Sequence, residues 1–210
     1  MTGFQEDTEK MQLQLLKYQL AKETLLNSVT GLIKEFELNN NYNPVEHIKS
    51  RIKSEESAIT KLKSRGYDVT VDNMISHIHD MVGVRIVCSF LSDVYDIVKV
   101  LERSEQFQII QEKDYIRDPK DTGYMSYHLM VNVPIYLNEG KEFVEAEIQI
   151  RTVAMDFWAS LDHKIQYKCD GSVPKAVIDE MYKCSLDIKN LDHRMLDLNM
   201  TVNRYQRNRK

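Results

Sequence analysis

In Val144-Glu145-Ala146-Glu147-Ile148-Gln149-Ile150 residue character alternates at every step. A period of two marks a strand, so Glu145, Glu147 and Gln149 share one face and Ala146, Ile148 and Ile150 the other. A strand of this kind needs a core on one side and tolerates water on the other, which calls for a sheet with something packed against it. The ends of the chain read differently. From about Glu9 to Glu37 apolar residues (Met11, Leu15, Tyr18, Leu25, Val29, Leu32, Ile33, Phe36) recur at helical spacing. After Arg151 the pattern is helical again, with one helix through about Tyr167 and another beyond Gly171 and Pro174.

The polar run Asn39 to Asn43 breaks the first helix, and Asn43-Pro44 reads as the cap and first turn of a second, ending near Arg65-Gly66. A short helix is expected around Asp72 to His79. Strands are expected at Val84–Cys88, Phe107–Glu112, Met125–Val133 and Phe143–Ile150, with a helix from Ser92 to Arg103. Asn138-Glu139-Gly140 suits a hairpin turn between the last two strands. With no internal repeat and no second core, the fold class is α+β in one domain: a mixed, largely antiparallel sheet of about five strands flanked by helices, with N- and C-terminal helices.

The 42% hydrophobic and 29% charged fractions are those of a soluble globular chain. No apolar run approaches the roughly 20 residues that cross a bilayer, and the acidic start MTGFQEDTEK is wrong for a secretory signal. Cys88, Cys169 and Cys184 are odd in number and lack CxxC spacing, so the expected compartment is the reducing cytoplasm. A net charge of −4 argues against a bulk nucleic-acid coat, although Lys49 to Arg65 and the C-terminal NRYQRNRK are locally basic.

Three groups of residues suggest chemistry. Asp80, just before one strand, and Glu147, within another, are carboxylates that can share Mg2+ and leave positions for phosphate oxygens. Such a strand face is also common at a plain solvated surface. Arg51, Lys53, Lys61 and Lys63 lie in the expected second helix, where Ser50, Ser54, Ser57 and Lys61 would share a face suited to polyphosphate. A solvated helix paired with Glu55 and Glu56 is the bland alternative. Lys113 to His128 interleaves Lys, Arg, Tyr and His on a loop marked by Pro119 and Gly123, a pattern that can stack a base and hold phosphates. Neither GxxxxGK[ST] nor GxGxxG is present. His77-Ile78-His79-Asp80 evokes a phosphohydrolase His-Asp pair, but the chain has no room for the remaining ligands and their helical domain. Trp158 sits on an apolar helix face and reads as core.

Taken in order, Asp80-Met81-Val82-Gly83-Val84-Arg85-Ile86, Lys113-Asp114-Tyr115, Gly123-Tyr124-Met125-Ser126-Tyr127-His128, Glu147-Ile148-Gln149-Ile150-Arg151-Thr152 and Phe157-Trp158-Ala159 to His163-Lys164 resemble the synthetase domain of the RelA/SpoT superfamily. The resemblance is to its stand-alone small alarmone synthetases and runs from about Asn43 to Lys168. It implies a nucleotidyltransferase-like domain over 1–210, with an N-terminal helix at 1–42, a catalytic core at 43–168 and a C-terminal helix at 169–210. It implies transfer of the β,γ-pyrophosphate of ATP to the 3′-hydroxyl of GDP or GTP, with AMP leaving. By the same resemblance Arg51 and Arg85 would sandwich the adenine, while Lys53, Ser57 and Lys61 would hold the phosphates. Asp80 and Glu147 would bind Mg2+, and Glu147 would also activate the acceptor hydroxyl. Tyr124 would stack on the acceptor base, with Lys113 and Lys120 near its phosphates, and His128 and Gln149 would steady the transferring group and ribose. The family's loop usually reads Asn-Gly-Tyr-Arg or Asn-Gly-Tyr-Gln, whereas this chain has Thr122-Gly123-Tyr124-Met125. One subgroup binds an alarmone allosterically through lysines of its N-terminal helix; Leu26 and Thr30 stand there in this chain, and His47 replaces an aromatic.

Three functions follow as alternatives: an alarmone synthetase on GDP or GTP, a toxic relative that modifies the 3′ end of tRNA and is restrained by an antitoxin, and a non-catalytic nucleotide or RNA binder. Lys10, Lys17, Lys22, Lys34, Arg204, Arg207 and Arg209 are the candidate tRNA contacts. The apolar stripes of the terminal helices suit either covering the sheet or a homo-oligomer, and a homo-oligomer is expected.

Overall fold

In residues 82–88, 127–137 and 140–152 buried residues fall largely at every second position, and these segments form the middle of the sheet. A computed structural model describes residues 2–168 and 173–207; Cys169, Gly171 and Arg209 lie outside them. The elements in order are α1 (Thr2–Asn40), β1 (Val45–Ile52), α2 (Glu55–Ser64), α3 (Val71–His77), β2 (Val82–Cys88), α4 (Leu91–Glu102), β3 (Gln108–Asp114), β4 (Tyr127–Leu137), β5 (Gly140–Thr152), α5 (Val153–Lys168) and α6 (Lys175–Arg207). The sheet runs β1-β2-β5-β4-β3, with β2 and β5 parallel and the other neighbours antiparallel. The expected mixed, largely antiparallel arrangement is the one found. Leu137 pairs with Gly140, so Asn138 and Glu139 form the hairpin connection, and Gly140 takes a φ of 131° that suits a residue without Cβ.

One expectation fails. Asn43 to Arg65 is not a continuous helix: residues 45–52 are β1, an edge strand, and only residues 55–64 are helical. Val45, Ile48 and Ile52 are spaced three and four apart, which imitates a helix. The imitation arises because the β1–β2 register shifts between Val45 and His47, an irregularity that brings Val45 into phase with Ile48. Asn43 caps nothing helical; its side-chain oxygen accepts from the Val45 amide at 3.0 Å and turns the chain into β1. The supposed common face of Ser50, Ser54, Ser57 and Lys61 therefore does not exist. Ser50 lies on the strand, while Ser54 caps α2 by accepting from the Ser57 amide at 3.3 Å.

One face of the sheet carries the core. Val84, Ile86, Leu129, Val131, Ala146, Ile148 and Ile150 are buried on it, and α1 covers it with Tyr18, Ala21, Leu25, Val29 and Ile33, at spacings of three or four residues. Leu91, Val94, Ile97, Val98 and Leu101 of α4 complete the cluster. Trp158 is 4% exposed, as expected of a core residue, and donates its indole N–H to Met181 O on α6 at 3.0 Å. Among the described residues no helix is long and apolar enough to cross a membrane.

Candidate active site

Strand register assembles the opposite face of the sheet. Lys49, Arg85, Gln149, His128 and Lys113 are successive Cα partners across β1, β2, β5, β4 and β3. The neighbouring row holds Arg51, Gly83, Glu147 and Met130. Gly83 contributes no side chain between Arg51 and Glu147, and a hollow of about 230 Å3 opens there, lined by Arg51, Asp80, Gly83, Arg85, Glu147 and Gln149 among others. A second hollow of about 410 Å3 shares Arg51, Arg85 and Gln149 and extends to Tyr124, Arg151, His163 and Lys164. The first is smaller than typical small-molecule sites, so the two together form the cleft a nucleotide needs.

Asp80 enters this cleft from the turn before β2. The Lys53 amide donates to Met81 O at 2.7 Å, which ties the end of β1 beside Asp80. Lys53 Nζ then reaches Asp80 Oδ2 at 3.1 Å, and Lys61 Nζ, from α2, reaches Oδ1 at 2.8 Å. Burial alone would raise the Asp80 carboxyl, but the hydrogen bonds and charges of Lys61 and Lys53 outweigh it and hold the group below the usual carboxylate range.

Glu147 is treated differently. Gln149 Nε2 donates to its Oε2 at 2.6 Å, and His128 Nδ1 lies 2.9 Å from Oε1. Burial pushes this carboxyl up and the charge of Asp80 adds to the push, but the His128 and Gln149 contacts lower it more. Both carboxylates are therefore anions lining one cavity. Two such oxygen donors with room for phosphate and water fit a hard divalent cation such as Mg2+.

Arg85 Nη1 pairs with Asp156 Oδ1 at 3.1 Å, and its buried Nε has no partner. Arg51 is exposed and lines both hollows. Tyr124 is half-buried, its hydroxyl held by Arg151 and by His128 Nε2 at 2.9 Å. Lys120 Nζ sits 4.9 Å above the Tyr124 ring and 4.7 Å above that of Tyr115. Met125, the departure from the family's loop pattern, is 4% exposed and belongs to the core.

The structure thus brings Asp80, Glu147, Gln149, His128, Arg51, Arg85 and Tyr124 together, with Lys53 and Lys61 attached through Asp80. It does not bring in every expected residue. Ser57 lines neither hollow, and its hydroxyl pairs with Ser54 Oγ at 2.8 Å. Lys113 is exposed on edge strand β3, and Lys120 rests on the two tyrosines rather than in the cleft. His77 stacks on Tyr67 at 3.8 Å, and His79 pairs with Glu145, so the two histidines beside Asp80 turn to other partners. Arg151 and Asp156 escaped the sequence reading as participants. The alternation Glu147, Gln149, Arg151 already placed the arginine on the site face; nothing in the sequence marked Asp156.

The family described as "Region found in RelA / SpoT proteins" matches residues 50–172. GTP pyrophosphokinase YwaC of Bacillus subtilis (strain 168) is 46% identical over 189 residues, 90% of each chain. The crystal structure of small alarmone synthetase 2 from Bacillus subtilis superposes with a TM-score of 0.82 at 44% identity, covering 91% of this chain and 98% of that one. Small alarmone synthetase 1 from the same organism, solved bound to its product pppGpp, gives a TM-score of 0.86 at 30% identity, over 93% and 99% of the two chains. With the family match spanning more than half of its length and a relative 46% identical over 90% of each chain, this chain belongs to the RelA/SpoT family.

Proposed function

We propose that the protein is a GTP pyrophosphokinase of the small alarmone synthetase type, moving the β,γ-pyrophosphate of ATP to the 3′-hydroxyl of GDP or GTP and releasing AMP. The observation that carries this reading is the convergence of two ionised carboxylates, Asp80 and Glu147, on one cavity rimmed by Arg51 and Arg85. A Mg2+ ion bound by Asp80 and Glu147 would offset charge on the polyphosphate.

The chain's own residues do the rest. Arg51 and Arg85, diagonal neighbours on β1 and β2, present two guanidinium planes to the adenine. Lys53 and Lys61, which neutralise Asp80 in the free protein, turn to the triphosphate once ATP arrives. Tyr124 stacks the acceptor base after Lys120 leaves its ring for the acceptor phosphates. Glu147 accepts the proton of the acceptor 3′-hydroxyl on a carboxylate that His128 and Gln149 hold in place, each by one oxygen. Its low basicity is no obstacle, because phosphoryl-type transfer passes through a loose transition state that asks little of a base and much of positioning. Exposed Tyr182, Leu186, Leu191 and Met195 on α6 support the expected self-association.

Incubation of the purified protein with ATP labelled in the γ-phosphate, Mg2+ and GDP, GTP or deacylated tRNA tests the reading. Label is expected on GDP or GTP with stoichiometric AMP. Label on tRNA alone, or on no acceptor, contradicts it.

A further inference from the structure

Five side chains on the floor of the cleft are joined in a closed ring, and one of them, Arg151, has no role in the function just proposed. Arg151 is 4% exposed on β5, two residues beyond Gln149 and four beyond Glu147 on the same face. Its Nη2 carries two hydrogens, which go separate ways. One is donated to the Tyr124 hydroxyl, the other to Gln149 Oε1 at 2.8 Å. Glu147, an anion, can only accept, so His128 Nδ1, 2.9 Å from its Oε1, carries hydrogen. A neutral imidazole with hydrogen on Nδ1 accepts at Nε2, so the Tyr124 hydroxyl, itself accepting from Arg151, donates there at 2.9 Å. Gln149, its oxygen taken by Arg151, turns its amide nitrogen to Glu147 Oε2 at 2.6 Å. Two hydrogen-bonded arms therefore leave one nitrogen of Arg151 and end on the two oxygens of one carboxylate.

The rest of the guanidinium is anchored. Nε donates to Ser126 Oγ at 3.3 Å and Nη1 to Asp156 Oδ1 at 3.2 Å, the same oxygen that holds Arg85. A mere counter-ion for Asp156 could be any cation. What the ring needs is a rigid planar fork with several donors at fixed angles, which arginine has and lysine lacks.

Resting on the reading of Glu147 as the carboxylate that acts on the acceptor hydroxyl, the geometry points to Arg151 as the positioning residue of the transfer. It holds Tyr124 and Gln149, the far ends of the two hydrogen-bonded arms that orient Glu147, and so couples the loop that takes the acceptor base to that carboxylate. A misplacement of about 1 Å at a reacting group costs on the order of a hundredfold in rate, so the effect belongs in kcat.

The experiment compares the full-length wild type with Arg151→Lys and Tyr124→Phe by steady-state kinetics, thermal melting and nitrogen-15 NMR of His128 in the nucleotide-free protein. Arg151→Lys is expected to melt within a few degrees of the wild type and to lose about tenfold to hundredfold in kcat with KM for ATP little changed. In the wild type His128 is expected as the Nδ1–H tautomer with a slowly exchanging Nδ1–H proton, and in Arg151→Lys with one that exchanges faster. If Arg151→Lys fails to melt cooperatively, Tyr124→Phe carries the test, because it leaves the Arg151–Asp156 pair intact while cutting one arm; the same faster exchange is expected there. Wild-type kcat in Arg151→Lys overturns the proposal, as does an Nε2–H tautomer in the wild type or an unaltered Nδ1–H exchange rate in Tyr124→Phe. A wild type that transfers no label ends the functional reading instead, and the NMR comparison still decides whether Arg151 orders the ring.

Discussion

Gly83 on β2 stands directly opposite Glu147 on β5 in the parallel register, and the hollow of the cleft lies above that glycine. Gly83 has no positive φ, so its conformation does not require glycine; the open space does. A Cβ there would meet Arg51 Cγ at 3.8 Å, an ordinary contact, whereas the further methyls of a branched residue would enter the hollow. Gly83→Val is expected to fold normally and to raise KM for ATP by at least about tenfold, which corresponds to roughly 1.4 kcal/mol of lost binding. ATP binding at wild-type affinity, measured by calorimetry, would show that the nucleotide lies elsewhere.

Glu147→Gln keeps the size of the side chain and removes its charge. The variant weakens both the hold on the divalent cation and the acceptor of the hydroxyl proton, so label transfer is expected to fall by at least about a hundredfold. Melting is expected to stay within a few degrees of the wild type, since the residue lies on the wet face of β5 and not among the buried Ala146, Ile148 and Ile150. Full turnover in this variant would remove Glu147 from the chemistry.

The tyrosine loop is seated on α6 through Gly123. Its φ is +86°, and a Cβ there would fall 2.1 Å from Ser185 Oγ and 2.7 Å from Ser185 Cβ. Gly123→Ala combines that collision with a left-handed backbone that costs an L-residue about 1–2 kcal/mol. The expected result is a lower melting temperature and a KM that rises for the acceptor more than for ATP. Ser185→Gly in the same chain is expected to recover part of both losses. Equal changes in the two KM values would place the loop away from the acceptor.

Asp192 on α6 is buried and accepts the Thr152 hydroxyl at 2.7 Å. Burial raises its carboxyl more than the Thr152 hydrogen bond and the charge of His193 lower it. A raised folded value means that the folded chain binds this proton more tightly than the unfolded one. Its contribution to stability is therefore lost as pH climbs above the unfolded value, about 3.9. Asp192→Asn keeps an acceptor for Thr152 and cannot ionise. It is expected to melt higher than the wild type near neutral pH, with the gap closing below about pH 4. A gap of the same size at both pH values would contradict this.

The sequence revealed the sheet where alternation was clean, as from Val144 to Ile150, and the helices where apolar residues ran at 3.6, as in α1. It misled at Val45–Ile52, because a bulge gave a strand the spacing of a helix and the pairing with β2 is non-local. Asp80 and Glu147 were legible as a pair of carboxylates beside two strands, whereas Arg51 and Arg85 were named through the resemblance and Arg51 was expected on a helix. The common face of Ser50, Ser54, Ser57 and Lys61 was misread, since Ser50 lies on β1 and the helix that would have joined it to the others never formed. Asp156 was invisible for another reason: its role, tying Arg85 to Arg151, depends on where α5 returns across the sheet, and no local pattern encodes that.

Binding of Mn2+, a paramagnetic stand-in for Mg2+, in the presence of a non-hydrolysable ATP analogue tests the central claim most directly. Titrations would compare the wild type, Asp80→Asn, Glu147→Gln and the double variant. Each single change is expected to weaken the nucleotide-dependent ion by at least about tenfold, with the double variant little worse than either, as for two groups acting on one ion. An ion bound at wild-type affinity after either substitution would contradict the account.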